Sequence, residues 1–104
     1  MTVLIVDDQT TVLKGIQSGV DFARLGVTVV LTASSAADAR QLIAAHSVDI
    51  LLSDIEMPEE SGIELIRWMA DNAPRIICIL LTSHADFAYA QESIKLGCFD
   101  YIVQ

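Results

Sequence analysis

The chain has 104 residues, of which 53% are hydrophobic, and its fourteen Asp and Glu against six Lys and Arg give a formal charge of -8. This length predicts one domain with its own hydrophobic core. The acidic balance and the lack of a basic patch argue against direct nucleic acid contact, and no apolar stretch is long enough to span a membrane.

Five short apolar runs rich in β-branched residues recur along the chain. Their apolar residues are continuous rather than alternating, which is typical of parallel strands covered by helices on both faces. We therefore expect five strands, built on Val3–Val6, Val27–Leu31, Ile50–Leu52, Ile76–Leu81 and Tyr101–Val103.

Between these runs lie four segments whose apolar residues recur at helical spacing. The predicted buried stripes are Leu13, Ile16, Val20 and Ala23; Ala36, Ala39, Leu42 and Ile43; Ile63, Leu65, Ile66, Met69 and Ala70; and Phe87, Ala90 and Ile94.

The residues around these segments agree with helix boundaries. Ser61 and Glu64 have the spacing of a capping box ahead of the third helix. Ser35 and Asp86 are suited to cap the second and fourth helices, and Gly97 follows the fourth stripe as a C-terminal glycine would. The alternation of strands and helices predicts an α/β domain with a mostly parallel sheet, which right-handed crossovers cover on both faces.

Polar residues follow the strands at the edge where an open α/β sheet binds its ligands. Asp7 and Asp8 follow the first run, Asp54 the third, Thr82 the fourth and Gln104 the fifth. Three converging carboxylates need a cation between them, and oxygen ligands favour Mg²⁺.

Zinc is disfavoured, because His46 and His84 are isolated and neither pairs with a cysteine at ligand spacing. Cys78 and Cys98 are too few for a disulfide scaffold, and we expect buried free thiols in a reducing cytoplasm. TVLIV follows Met1 without the basic region of a signal peptide, which also indicates a cytoplasmic protein.

An aspartate beside a bound Mg²⁺ is a plausible phosphoryl acceptor, since a carboxylate can form an acyl phosphate. Asp54 is the candidate, and the hydroxyl of Thr82 could donate a hydrogen bond to a phosphoryl oxygen. Each residue taken alone is more often a turn, a cap or a strand end. The joint placement at three strand ends is what favours the functional interpretation.

Over nearly its whole length the chain resembles the receiver domain of two-component response regulators. The matching segments are Val3–Asp8, Asp54–Pro58 followed by Ser61–Gly62, Leu81–Ser83 and Gly97–Tyr101. The resemblance implies a flavodoxin-like, or CheY-like, doubly wound α/β fold with a five-stranded parallel sheet in the order 2-1-3-4-5.

The resemblance also implies a role for each matching residue. Asp54 would be the phosphoacceptor. The ligands of Mg²⁺ would be Asp8, Asp7 through water, Asp54 and the backbone carbonyl of Glu56. Thr82 would bond to the phosphoryl group and move on activation, and Tyr101 would be the aromatic residue whose rotamer follows. Met57, Pro58 and Gly62 would shape the loop after the acceptor.

The implied partners are a sensor histidine kinase, which donates the phosphoryl group, and an output domain outside this chain. The stretch from Ser83 to Ala90 is similar to receivers that precede AraC-type helix-turn-helix domains, so the expected output is transcriptional. Such a domain is a regulatory module, not a turnover enzyme, and assists only its own phosphorylation and dephosphorylation.

The chain departs from the family pattern in two places. Gln104 stands where the family has a lysine, so the phosphoryl group would lack a positive charge and phosphorylation would be slower. The chain also ends before the fifth helix of the family, so residues 1–104 are expected to be a receiver truncated before that helix. The open face would favour a homodimer.

Three other functions fit the sequence less well. A degenerate receiver that binds partners without phosphorylation is supported only by Gln104. An aspartate-nucleophile phosphatase would need a second aspartate where Glu56 stands, and a lid that the chain does not have room for. Flavin or nucleotide binding would need a glycine-rich phosphate loop, which the sequence lacks.

Overall fold

The computed structural model describes residues 1–55, 57, 60–82 and 100–103. Within this part of the chain, strands and helices alternate from the N-terminus, and no helix there is long and apolar enough to cross a bilayer. The elements are β1 (Thr2–Val6), α1 (Thr10–Gly19), a 3-10 helix (Phe22–Leu25), β2 (Val29–Ala33), α2 (Ala36–Ala45), β3 (Ile50–Asp54), α3 (Gly62–Asn72), β4 (Ile77–Thr82) and β5 (Asp100–Val103).

The strands form one parallel sheet in the order β2-β1-β3-β4-β5. The chain therefore starts inside the sheet, builds outward to β2, crosses back over β1 and continues to the other edge. This arrangement confirms the flavodoxin-like fold. The change of direction leaves the carboxyl ends of β1 and β3 side by side, where such folds bind ligands.

Helices lie on both faces of the sheet. Leu4, Leu51 and Leu80 point toward α2 and α3 and are fully buried in the larger of two apolar clusters. Neighbouring residues such as Val3 and Ile5 point to the opposite face, where they pack with Leu13 of α1 in the smaller cluster. Successive side chains of a strand alternate between faces, so strands buried on both sides need apolar residues at every position.

The face toward α1 is less completely covered than the other. Ile50 and Leu52 of β3 are only partly buried there, together with Ile16 of α1. Ile77, at the start of β4, is 44% exposed. The described part of the molecule thus has one closed face and one partly open face.

Two predicted helix caps are confirmed. The Ser35 hydroxyl accepts a hydrogen bond from the Asp38 backbone N–H at 3.1 Å, and the Ser61 hydroxyl accepts one from the Glu64 backbone N–H at 3.3 Å. Each bond satisfies one of the amide groups that a helix start leaves without a partner.

The prediction for the first helix was too long. The helix ends at Gly19, Val20 is 39% exposed, and Ala23 lies in the separate 3-10 helix. Asp21 begins that helix by accepting a hydrogen bond from the Arg24 backbone N–H at 3.3 Å. The helical spacing of apolar residues therefore continues in the sequence although the helix itself ends, because a polar side chain caps a new helix. In the third helix, Ala70 is exposed, contrary to its place in the predicted stripe.

Strand boundaries also differ from the predicted ones. β2 runs from Val29 to Ala33, so it begins two residues later and ends two residues later than its predicted apolar run. β3 and β4 continue through Asp54 and Thr82, so these polar residues are the last residues of their strands. Hydrogen bonding between strand backbones does not require an apolar side chain, so a strand can extend beyond its apolar run.

Cys78 is buried, as predicted, and its sulfur lies 3.8 Å from the sulfur of Met69. His46 is exposed at the end of α2. Several predictions lie outside the described residues. They are the fourth helix with its stripe Phe87, Ala90 and Ile94, its boundary residues Asp86 and Gly97, and also His84 and Cys98.

Candidate functional site

Three carboxylates meet at the carboxyl end of the sheet. Asp7 and Asp8 directly follow β1, and Asp54 ends the adjacent β3. One carboxylate oxygen from each of the three lies within 4.8 Å of the other two. We call Asp7, Asp8 and Asp54 the acidic cluster. The sequence predicted this convergence because parallel neighbouring strands end at the same edge.

Asp7 is the buried member of the cluster, with 4% of its surface exposed. Its backbone N–H donates to the carbonyl of Ala33 at 3.1 Å, and its carboxylate accepts a hydrogen bond from the Gln9 backbone N–H at 2.9 Å. Burial raises the pKa of the Asp7 carboxyl above its usual value of 3.8; the bond from Gln9 opposes this, while the charge and hydrogen bond of Asp8 add to it. Burial therefore makes ionisation of Asp7 more costly in the folded protein, and a nearby positive charge would offset that cost.

Asp8 is exposed and Asp54 is half-buried, so the cluster opens to solvent on one side. The backbone of Asp54 is held from two directions. Its carbonyl oxygen accepts a hydrogen bond from the hydroxyl of the fully buried Ser53 at 3.0 Å. On the other side, Gly62 packs directly against it.

Gly62 closes the connection between β3 and α3. Its N–H donates to the carbonyl of Ile55 at 2.8 Å. A Cβ atom at this position would lie 3.1 Å from the carbonyl carbon of Asp54 and closer still to its oxygen. Only glycine therefore permits the chain to return this close to Asp54.

The acidic cluster has the donor chemistry of a site for a hard divalent cation. All three side chains offer oxygen, and the buried Asp7 carboxylate, whose pKa is raised by burial, lies beside the two others. Mg²⁺ fits such a site because it binds through one or a few carboxylates and retains several water ligands. Asp7, Asp8 and Asp54 are the described residues that could hold it.

The other predicted site residues are only partly within the described structure. Thr82 ends β4 with its Cα paired to Val103, and Tyr101 pairs with Leu80, so Thr82 lies on the strand next to β3 and Tyr101 on the strand beyond it. Their side chains are outside the described structure, as are Glu56, Pro58 and Gln104. Met57, by contrast, packs half-buried against the larger core.

Sequence reasoning missed a charged contact beside the site. Arg40 of α2 pairs with Glu60, which directly precedes the cap of α3, and the Arg40 guanidinium lies over the ring of Trp68. Arg40 and Glu60 are 20 residues apart, on different elements. No local spacing rule joins residues at that separation, so only the three-dimensional structure could have found the contact.

Comparison with known proteins gives a consistent result. Residues 3–104 match the family model described as the response regulator receiver domain. The transcriptional regulatory protein YesN of Bacillus subtilis is 28% identical over 102 residues, which are 98% of this chain and 28% of that protein.

Among solved structures, the chain resembles the REC domain of AraT, a response regulator from Geobacillus stearothermophilus. That match has a TM-score of 0.90 at 33% identity and covers 99% of this chain and 80% of the other. A two component transcriptional regulator AraC from Clostridium phytofermentans gives a TM-score of 0.92 at 26% identity, over 100% of this chain and 81% of the other. The chain thus spans most of these solved chains but well under half of the curated relatives it matches, 28% and 40% of the first two.

Proposed function

The chain belongs to the response regulator receiver domains, and we propose that it is a phosphorylation switch whose acceptor is Asp54. The proposed reaction is transfer of a phosphoryl group from a phosphohistidine of a sensor histidine kinase to the Asp54 carboxylate. The result is a changed surface that an output domain reads, not a released product. The chain would therefore act once per signal, as a regulatory module.

The acidic cluster is the observation that carries this proposal. Asp54 is half-buried at the end of a central strand, with Asp7 and Asp8 beside it, at the sheet edge where this fold binds ligands. Its backbone is fixed by Ser53 and Gly62. A nucleophile held in a defined position spends less free energy on orientation when the donor arrives.

The transfer balances without another reactant. A carboxylate oxygen of Asp54 attacks the phosphorus, and a P–O bond forms as the P–N bond to the donor imidazole breaks. The bonding electron pair leaves on the imidazole nitrogen. Asp54 becomes an aspartyl phosphate, an acyl phosphate that water can later hydrolyse to inorganic phosphate.

Asp7, Asp8 and Asp54 would hold Mg²⁺ at the site, with the backbone carbonyl of Glu56 as a further proposed ligand. When bound, the ion would supply positive charge that offsets the charge of the phosphoryl oxygens. Asp7 contributes a carboxylate whose pKa is raised mainly by burial. Asp8 contributes an exposed one at the solvent side.

We assign the remaining steps to residues on the two strands beyond β3. Thr82 would donate its hydroxyl hydrogen to a phosphoryl oxygen, and Tyr101 would change rotamer as Thr82 moves. Gln104 would occupy the position of the family's lysine and supply a hydrogen bond without a charge. The support for these roles is the backbone placement of Thr82 and Tyr101 on β4 and β5.

The wider setting follows from the relatives. We propose that the receiver works in the cytoplasm and controls an attached or partner output domain. A transcriptional output of the AraC type is favoured, because YesN is named a transcriptional regulatory protein and one structural neighbour is named a two component transcriptional regulator AraC.

Acetyl phosphate with Mg²⁺ tests the proposal, because it can replace the kinase as a small donor and releases acetate. We expect intact-protein mass spectrometry to show the addition of one phosphoryl group. Asp54→Asn should abolish the addition, whereas the matched control Asp71→Asn, an exposed residue of α3, should retain it. An unmodified wild-type protein would instead favour the degenerate receiver, which binds partners without phosphorylation.

Gln104 provides a second test at the same site. Gln104→Lys should speed phosphorylation by acetyl phosphate, by on the order of tenfold if the new ammonium group stabilises the transferring phosphoryl group by about 1.4 kcal/mol. The initial rate of the mass change measures the effect. Equal rates would show that the missing charge does not limit this chain.

A further inference from the structure

Arg40 joins α2 to the connection that follows the acceptor strand. Its guanidinium forms an ion pair with the Glu60 carboxylate, and the two side chains are 29% and 26% exposed. The guanidinium carbon also lies 6.0 Å from the centroid of the Trp68 ring on α3, within the range of a cation–π contact. A partly buried pair that is also stacked is screened less by solvent than a fully exposed one.

Glu60 lies where the chain returns toward the acidic cluster. It directly precedes Ser61, the cap of α3, and is two residues before Gly62, which packs against the Asp54 carbonyl. The Gly62 N–H bond to Ile55 joins the two ends of the connection. An ion pair at Glu60 therefore fixes the returning end from the side of α2, independently of that backbone bond.

We propose that Arg40 is a positioning residue for the acidic cluster: by holding Glu60, it fixes the backbone from Glu60 to Gly62 against Asp54 and so keeps Asp54 in place for binding a divalent cation. This inference rests on the proposed function, since it concerns the same site. Arg40 contacts neither the cluster nor the phosphoryl donor in this account. It acts through Glu60 and the backbone from Ser61 to Gly62.

If Arg40 acts by positioning, Arg40→Gln should lower the affinity for Mg²⁺. If it acts only through its charge, the same change should raise that affinity. Removing a positive charge from an acidic protein strengthens its attraction for Mg²⁺ through the electrostatic field. Removing a positioning contact weakens binding, because the site must first be ordered by the ion itself. The sign of the change in affinity therefore separates the two mechanisms.

The experiment is a calorimetric titration of the metal-free full chain with MgCl₂. We expect Arg40→Gln to weaken Mg²⁺ binding by about threefold to tenfold, below the roughly 10- to 100-fold loss seen when groups that directly orient metal ligands are changed. The matched control is Arg24→Gln, which removes the same charge from the exposed Arg24 of the 3-10 helix. It should leave the affinity equal or slightly higher.

The charge-swapped variant Arg40→Glu with Glu60→Arg keeps the net charge and restores the pair in reverse. We expect its Mg²⁺ affinity to return to within about twofold of the wild type, because a coupled pair shows non-additive effects. If Arg40→Gln fails to fold, the swap alone tests the contact, because its net charge equals that of the wild type and a weaker Mg²⁺ affinity would then contradict the inference.

Two results would overturn the inference. One is unchanged or tighter Mg²⁺ binding in Arg40→Gln, matching Arg24→Gln. The other is a loss of affinity that the swap does not restore. Because the titration needs no phosphoryl donor, its result is independent of whether Asp54 accepts a phosphoryl group. Failure of the acetyl phosphate test and failure of this one are therefore distinguishable.

Discussion

At the scale of single residues, Gly62 is the most constrained glycine that the described structure contains. We expect Gly62→Ala to lower the free energy of unfolding by about 1–3 kcal/mol, because the added Cβ overlaps the Asp54 carbonyl and the backbone must move. Urea denaturation measures the loss. Gly15→Ala in α1 is the control: nothing lies within 4 Å of its Cβ, and alanine should stabilise the helix by about 0.5–1 kcal/mol. Similar effects at both positions would contradict the close approach.

Asp7 predicts a dependence of stability on pH in the absence of metal. Its folded-state pKa is raised, so between the unfolded value near 3.8 and that raised value the folded state binds more protons than the unfolded state. Stability from this group is therefore greatest at low pH and declines as pH rises through the raised pKa. Asp7→Asn should be more stable than the wild type in EDTA at pH 7, and the difference should vanish as pH falls toward 3.8.

Thermal unfolding in EDTA across this pH range measures that difference. Asp71→Asn removes an exposed carboxylate outside the cluster and is the control for the loss of one negative charge. A constant difference between Asp7→Asn and the wild type would mean that the Asp7 carboxylate meets no penalty in the folded protein.

The residues of the site were predictable to different degrees. Asp7, Asp8 and Asp54 could be placed together from the sequence, because each ends or directly follows an apolar run and parallel strands end at one edge. Arg40 and Glu60 could not, since their contact depends on how α2 packs beside the start of α3. Rules based on spacing act within an element, whereas contacts between elements require the packed structure.

At the scale of elements, α3 is the helix that follows the site, and its first turn is stabilised by Ser61. We expect Ser61→Ala to lower the free energy of unfolding by about 1 kcal/mol, because the Glu64 N–H would lose its capping partner. Ser18→Ala is the control: its hydroxyl donates to the Lys14 carbonyl on an exposed helix surface, and its loss should change stability by a few tenths of a kcal/mol at most. Equal losses for both variants in urea denaturation would argue against the cap.

The type and order of the described elements followed from apolar runs and helical stripes, but their ends did not. The stripe through Val20 and Ala23 suggested a longer first helix, yet Asp21 begins a separate 3-10 helix by capping it. β3 and β4 continue into Asp54 and Thr82. The ends of helices and strands are set by backbone hydrogen bonds, and polar side chains can compete for those bonds. Patterns of apolar residues do not contain this information.

At the scale of the whole molecule, the two faces of the sheet differ in how completely they are covered. Leu51 and Leu52 are adjacent in β3, point to opposite faces and provide a matched pair. Leu51→Ala should lower the free energy of unfolding by about 2–5 kcal/mol, because its side chain is fully buried between the sheet and its helices. Leu52→Ala should cost distinctly less in this chain, because its side chain already contacts water.

Urea denaturation of both variants under identical conditions measures the contrast. Equal losses would indicate that the α1 face is as well packed in solution as the other. A second copy of the chain covering that face would produce such a result, and sedimentation of the wild type at the same concentration would reveal it.

The position of Trp68 has a practical consequence for spectroscopy. It is the only tryptophan of the chain, it lies half-buried on α3, and the Arg40 guanidinium lies over its ring. Intrinsic fluorescence excited at the red edge therefore comes from one indole, because the two tyrosines contribute little there. Any event that displaces Arg40 changes the charge and solvent near that indole, so its emission reports movement of Arg40 in real time without an attached dye.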